Sequence, residues 1–519
     1  MNDCCLSDFR VGLSNLPIRE VLIIFLVTGF FAHSSLSTLA ATIRLAVPTP
    51  YTFMGHPFEM YAGGSVKSAL YDGLTQISLT GELSPALALS WEAISDTEWE
   101  FLLRPEAQFH NGAPVTAESI AAVLNHITRA ESQRFWMAQQ LSSVRSAHAV
   151  DPLTVQVVTN RPDPLLARRM SLLRVVDMME WQQRGEVDFA ENPVATGPYR
   201  AVSWGPNATR VKFEAFEHSW RRHGDVKAID MRVVADGTRR VQALLSGEID
   251  LAVNLNPDAI TVLEEAGLKI MKVPNPIIIA LGLRTVDAEG SPLLDKRVRQ
   301  ALNYAINKSQ IVHYILNDNM SVATQGAIPG VTGYNPNIQP YVYDPEKARA
   351  LLADAGYAGG LTLVAAVWGG QVPGDTLIFQ QVAQDLSRVG IKTEMRQFPL
   401  QEFLRRRGTG DWGDIQMITT TLTSRNLFDS LTALESVSCA RKPTPFFCDR
   451  DLDSAIDAAR YVMDPDTRVG LLQQAMAKAV ETASSVFLVN YSDIVAMSDN
   501  ISGYEVRSDG ILFEKMTFR

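Results

Sequence analysis

Cysteine is scarce: the 519-residue chain has four, and Cys4 and Cys5 sit at its very start. That excludes a small disulfide-stapled scaffold and a cysteine-built zinc site. Basic excess is also missing. Lys and Arg total 47 against 57 Asp and Glu, a net charge of −10, which argues against a nucleic-acid partner. The longest apolar run, residues 21–32 (VLIIFLVTGFFA), is too short to span a bilayer comfortably. With mean hydropathy of +0.01, the chain is not a polytopic membrane protein. It contains no GxxxxGK[ST] phosphate loop, no GxSxG elbow and no HExxH zinc helix. It also lacks repeats, low-complexity tracts and a long linker. What remains is an ordinary globular composition, 46% hydrophobic and 20% charged, long enough for about three domains.

The apolar run follows Arg10 and Arg19 and precedes Thr38-Leu39-Ala40, small residues suited to cleavage after Ala40. Residues 1–40 read as a secretory signal peptide, which places the mature chain in the periplasm; an uncleaved anchor is the alternative. In that oxidising compartment Cys439 and Cys448, close in sequence, are expected to form a local disulfide, two free thiols being the other outcome.

Periodicity predicts strands at Thr42–Val47, 99–103 and 153–158, and a helix capped by Thr116 that buries Ile120, Val123, Leu124 and Ile127. Asp163-Pro164, Asn256-Pro257, Asp344-Pro345 and Asp464-Pro465 share one helix-start logic. The Asx side chain caps free N–H groups, and proline at the first helical position needs no donor. Val298, Leu302 and Ile306 stripe a further helix. Strands alternating with helices over most of the chain imply α/β layers. His218 and His223 flank Ser-Trp-Arg-Arg, a basic stretch that reads as surface and not as a metal site.

Seven stretches carry a resemblance. They are 70–74 (LYDGL), 99–120 (WEFLLRPEAQFHNGAPVTAESI), 192–200 (NPVATGPYR), 241–251 (VQALLSGEIDL), 295–306 (DKRVRQALNYAI), 343–357 (YDPEKARALLADAGY) and 464–475 (DPDTRVGLLQQA). In this order they resemble the extracytoplasmic solute-binding proteins of ABC importers, family 5, whose members bind oligopeptides and nickel. The resemblance implies an α/β periplasmic-binding-protein fold whose two lobes close on a ligand by hinge motion. Lobe I is then discontinuous (41–75, 190–285 and 488–519), with an extra domain at 76–189 and lobe III at 286–487. It further implies a monomer without cofactor or catalysis, which hands a peptide or metal chelate to a membrane permease with its ATPase. An exported enzyme and a chaperone-like or sensory protein are the alternatives from other classes.

The resemblance also nominates a site. Peptide-binding members carry an acid after the strand near position 420, which meets the peptide's amino terminus. Here Thr423 stands at that place, with Arg425 two residues on and Asp429 the nearest acid. Residues 133–136 (QRFW) are similar to a stretch of the nickel-binding branch whose arginine and tryptophan face the chelate, which nominates Arg134 and Trp136. Arg174 lies near a second cleft arginine of that branch, and Trp368 and Tyr51 are further candidates to line the cleft. Arginine suits carboxylates through its two-pronged donor geometry. Each residue has a plainer role open to it: Arg134 or Arg425 as a solvated arginine, Trp136 as core, Arg174 as the partner of Asp177.

Overall fold

The structure, a computed structural model, describes residues 41–48, 57–58, 64–204, 208–367, 374–440 and 444–519. Residues 1–40, Tyr51 and Trp368 lie outside the described residues.

The strand Thr42–Val47 places Ile43, Leu45 and Val47 on a fully buried face, as the alternation predicts. It seeds one side of an eleven-stranded mixed sheet and pairs in parallel with Ala228–Val233 and Leu251–Ala252. Arg210–Ala215 and Tyr199–Ser203 continue that side by antiparallel pairing. On the other side, Leu361–Val367 pairs in parallel with Ile391–Gln397 and Met417–Thr423. Two long strands, Lys269–Leu283 and Ser485–Met497, join the sides. Their ladder shifts register between Pro274 and Ile278, opposite Ser492 and Asn490. A proline lacks the donor a ladder needs, so Pro274 and Pro276 interrupt the pairing and mark the crossing between the two halves.

A separate four-stranded antiparallel sheet, in the order Ala88–Ser95, Glu98–Leu103, Thr154–Thr159, Val144–Ala149, packs against the helix Ala117–Ile127. Thr116 caps that helix reciprocally: its hydroxyl accepts from Ser119 N–H and the Ser119 hydroxyl accepts from Thr116 N–H. Asp344 and Asp464 cap their helices with proline at the first turn, as expected. The other two sites depart from the shared logic. Asn256 makes no side-chain cap, and the chain after it starts as a 3₁₀ turn, Pro257–Ala259, that runs on into the helix Ile260–Glu265. Asp163 accepts from Leu165 N–H but spends its second oxygen on the Ser143 hydroxyl and Arg169.

Two glycines show what the recurring stretches do. Gly112 has φ +86°, the turn conformation expected of it. Gly197 is needed for close approach rather than for a turn: an added Cβ would lie 2.4 Å from Ala69 O and the Leu70 carbonyl carbon. Its N–H donates to Leu70 O, so residues 192–200 lie directly against residues 70–74. The expected disulfide joins Cys439 and Cys448.

Candidate functional site

The helix Gly64–Leu70 carries Lys67 in its last turn. Lys67 is only 6% exposed, and its Nζ donates to Ser171 O at 3.2 Å. No carboxylate lies within ion-pair distance of it among the described residues. Burial, reinforced by the charge of Arg174 and then by Arg507 and Arg425, lowers its pKa to about 7; Asp509 alone pulls the other way. Asp509 is committed elsewhere, gripping Arg507 through two contacts of 3.0 and 3.1 Å.

Arg174 sits three residues beyond Ser171 and is 1% exposed. One guanidinium nitrogen donates to Pro57 O at 3.0 Å, and the group lies 5.7 Å from the centre of the Trp136 ring. Burial lowers its pKa to about 10. Asp177 is not its partner. One Asp177 oxygen caps the helix Met178–Arg184 and the other accepts from Asn111. Tyr71, fully buried beside Arg174, has a hydroxyl with no hydrogen-bond partner.

The third cation arrives from the other half of the sheet. Met417–Thr423 ends where Thr423 Oγ1 accepts from Arg425 N–H at 3.2 Å. The Arg425 side chain makes no hydrogen bond or ion pair among the described residues, yet its charge acts on both Lys67 and Tyr491. Asp429 does not supply the amino-terminus acid that Thr423 lacks. It is fully buried and locked to Arg468 by contacts of 2.6 and 3.0 Å. At the strand crossing, Asp493 accepts from Asn254 and Asn275, each at 2.9 Å, so its carboxylate is also occupied.

Arg174 thus lies over Trp136, and the charges of Arg174 and Arg425 both act on Lys67. Arg134 does not join them. Its side chain is 59% exposed, holds Glu186 through contacts of 2.8 and 2.9 Å, and lies over Phe135.

The Ser-Trp-Arg-Arg stretch corrects the surface reading. Trp220 donates to Asp72 at 2.9 Å beneath Arg104, and Arg221 is buried between Asp72 (3.2 Å) and Glu514 (3.0 Å). Burial holds the Asp72 carboxyl above its ordinary range despite Arg221. This network underpins residues 70–74, directly after the Lys67 helix. Among the described residues, no group of three or more His, Cys, Asp or Glu is placed to hold a metal.

Comparison with known proteins identifies the architecture. Residues 82–441 match the model of the bacterial extracellular solute-binding proteins, family 5. The chain belongs to this family. The dipeptide-binding protein of Escherichia coli K12 is 24% identical, over 91% of this chain and 95% of that one. The glutathione-binding protein GsiB of Pectobacterium atrosepticum is 26% identical, over 86% and 87%. The fold matches NikZ from Campylobacter jejuni, solved in complex with Ni(L-His), with a TM-score of 0.78 and 19% identity, covering 92% of this chain and 99% of that one. The family 5 fold is two-lobed. The members of the family are extracytoplasmic solute-binding proteins, and this chain is one of them.

Proposed function

We propose that this family 5 protein is the periplasmic, monomeric receptor of an ABC importer, and that it closes on an anionic ligand for delivery to the membrane permease. The ligand is a peptide-like acid or a metal chelate with outward carboxylates, nickel–histidine being one such chelate. One observation carries the reading: the positive charges of Arg174 and Arg425 act on the buried Lys67, while the acids Asp429, Asp493 and Asp509 are each engaged by protein donors. Lys67 is already buried without a carboxylate partner among the described residues, and a ligand carboxylate offsets that cost. Arg174 and Arg425 grip the ligand, Trp136 packs on it, and Thr423 takes the place of the acid that would receive a free amino terminus. Arg134 sits at the rim. The partition into lobe I (41–75, 190–285, 488–519), extra domain (76–189) and lobe III (286–487), with a signal peptide ending near Ala40, belongs to the same reading.

Isothermal titration with nickel–histidine, nickel alone, glutathione and neutral tripeptides tests it. Arg174→Ala and Arg425→Ala each cost about 2–5 kcal/mol of binding to the anionic ligand, as expected for truncating a desolvated charge pair. Arg134→Ala costs less than about 1 kcal/mol. Unchanged binding in the first two variants refutes the site. The likeness to the dipeptide-binding protein of Escherichia coli K12 supports a second reading, an oligopeptide receptor. Preferential binding of neutral peptides decides for it.

A further inference from the structure

The buried ammonium of Lys67 has no carboxylate within ion-pair distance among the described residues. An ammonium has three protons to donate, and Lys67 has one acceptor, Ser171 O. The cations Arg174, Arg507 and Arg425 act on it from three separate segments, and the opposing Asp509 is held by Arg507. The Tyr71 hydroxyl, one helical turn from Lys67, is fully buried and has no hydrogen-bond partner among the described residues. Buried donors at Lys67 and Tyr71 that outnumber their acceptors among the described residues fit one chemical group: an anion.

We propose that Lys67 is the anion anchor of the cleft: together with the Tyr71 hydroxyl and Arg174 it receives a ligand carboxylate, and capture above neutral pH draws one proton from solvent onto Lys67. This rests on the anionic-ligand reading. The balance is simple: neutral Lys67 amine, one proton and one carboxylate give an ammonium–carboxylate pair. With the ligand-free pKa near 7, the amine is largely neutral at pH 8.5. A bound carboxylate raises that pKa, so affinity falls as pH climbs from 7 toward the raised value, by up to about tenfold per pH unit.

Titration calorimetry at pH 6.5, 7.5 and 8.5 tests this with N-acetyl-Gly-Glu, which has two carboxylates and no group titrating in that range. Wild type is expected to lose about tenfold in affinity from pH 7.5 to 8.5. It should also take up close to one proton per ligand, read from two buffers of different ionisation enthalpy. Lys67→Arg, charged throughout, binds without that slope. Lys67→Met binds at least about tenfold more weakly at pH 6.5. A pH-independent wild-type affinity, or the same slope in Lys67→Arg, overturns the anchor and leaves the anionic-ligand reading standing. If N-acetyl-Gly-Glu, glutathione and nickel–histidine all fail to bind wild type while a neutral tetrapeptide binds, both fall together. The wild-type slope reads the proposal even if Lys67→Met misfolds.

Discussion

The Arg468–Asp429 pair fastens the segment that carries Arg425, and breaking it has a calculable cost. Arg468 projects from the helix Pro465–Glu481 and Asp429 from the turn after Thr423; their side chains are 5% and 0% exposed. Both guanidinium nitrogens meet both carboxylate oxygens, and one of those oxygens also accepts from Leu431 N–H. Arg468→Met leaves a buried carboxylate with a single backbone donor, which costs about 3–5 kcal/mol. Asp429→Asn keeps an acceptor for Leu431 N–H but strands the guanidinium. The double variant removes both charges, so its loss is smaller than the sum of the two, with a coupling of about 2 kcal/mol or more. Urea unfolding reads this directly: at an m-value of about 3 kcal/mol/M, Arg468→Met moves the midpoint down by about 1–1.7 M. Single variants that each cost under about 1 kcal/mol and add in the double would show that the pair is solvated and refute the reasoning.

Three further outcomes are expected. Removing the Cys439–Cys448 bond by serine substitution costs roughly 2–3 kcal/mol, and thiol labelling of the denatured exported protein finds no free thiol; two labelled cysteines contradict it. His110 donates from Nε2 to Gly197 O and accepts at Nδ1 from Ala195 N–H, and burial lowers its pKa to about 4, so it stays neutral in the fold. The unfolded chain binds a proton below about pH 6.5 and the folded chain does not. Stability therefore falls by about 2–3 kcal/mol from pH 6.5 to 4, and His110→Gln flattens that part of a melting profile. Gly197→Ala drives a methyl into the Leu70 backbone and costs more than about 3 kcal/mol, or prevents folding; a fully stable variant would show that the two segments separate freely.

Much of the fold was legible because its signals are local. Thr116, Asp344 and Asp464 act on N–H groups within three residues, and alternation placed the strand Thr42–Val47. The departures came where distant residues compete for the same atoms. Asp163 has the sequence of a cap, but Ser143 and Arg169 claim its second oxygen. Ser-Trp-Arg-Arg looks like solvated charge, yet Arg221 reaches Glu514 across 293 positions, and no local pattern encodes that. Trp136, Arg174 and Arg425 were nominated by resemblance, and the structure sets the Arg174 guanidinium 5.7 Å from the centre of the Trp136 ring. Lys67 was missed: a lone lysine in a short helix carries no mark of burial. The one available signal was its place three residues before Leu70-Tyr71-Asp72-Gly73-Leu74, a stretch already singled out.

The site's sign is opposite to that of the whole chain, and this separates two ways of recruiting an anion. Electrostatic steering needs a broad field of the attracting sign, and a protein of net charge −10 does not offer one. Its cations instead act together from three segments on the buried Lys67, where burial weakens screening. At physiological salt the Debye length is about 8 Å, so the acidic exterior repels an incoming carboxylate only at short range. Attraction then takes hold after entry, as the lobes close. Stopped-flow binding of N-acetyl-Gly-Glu should accordingly show an association rate that changes by less than about threefold between 20 and 300 mM salt. If it falls steeply with salt, the anion is being drawn from a distance, and an exposed positive field would have to replace the buried cluster as the agent of capture.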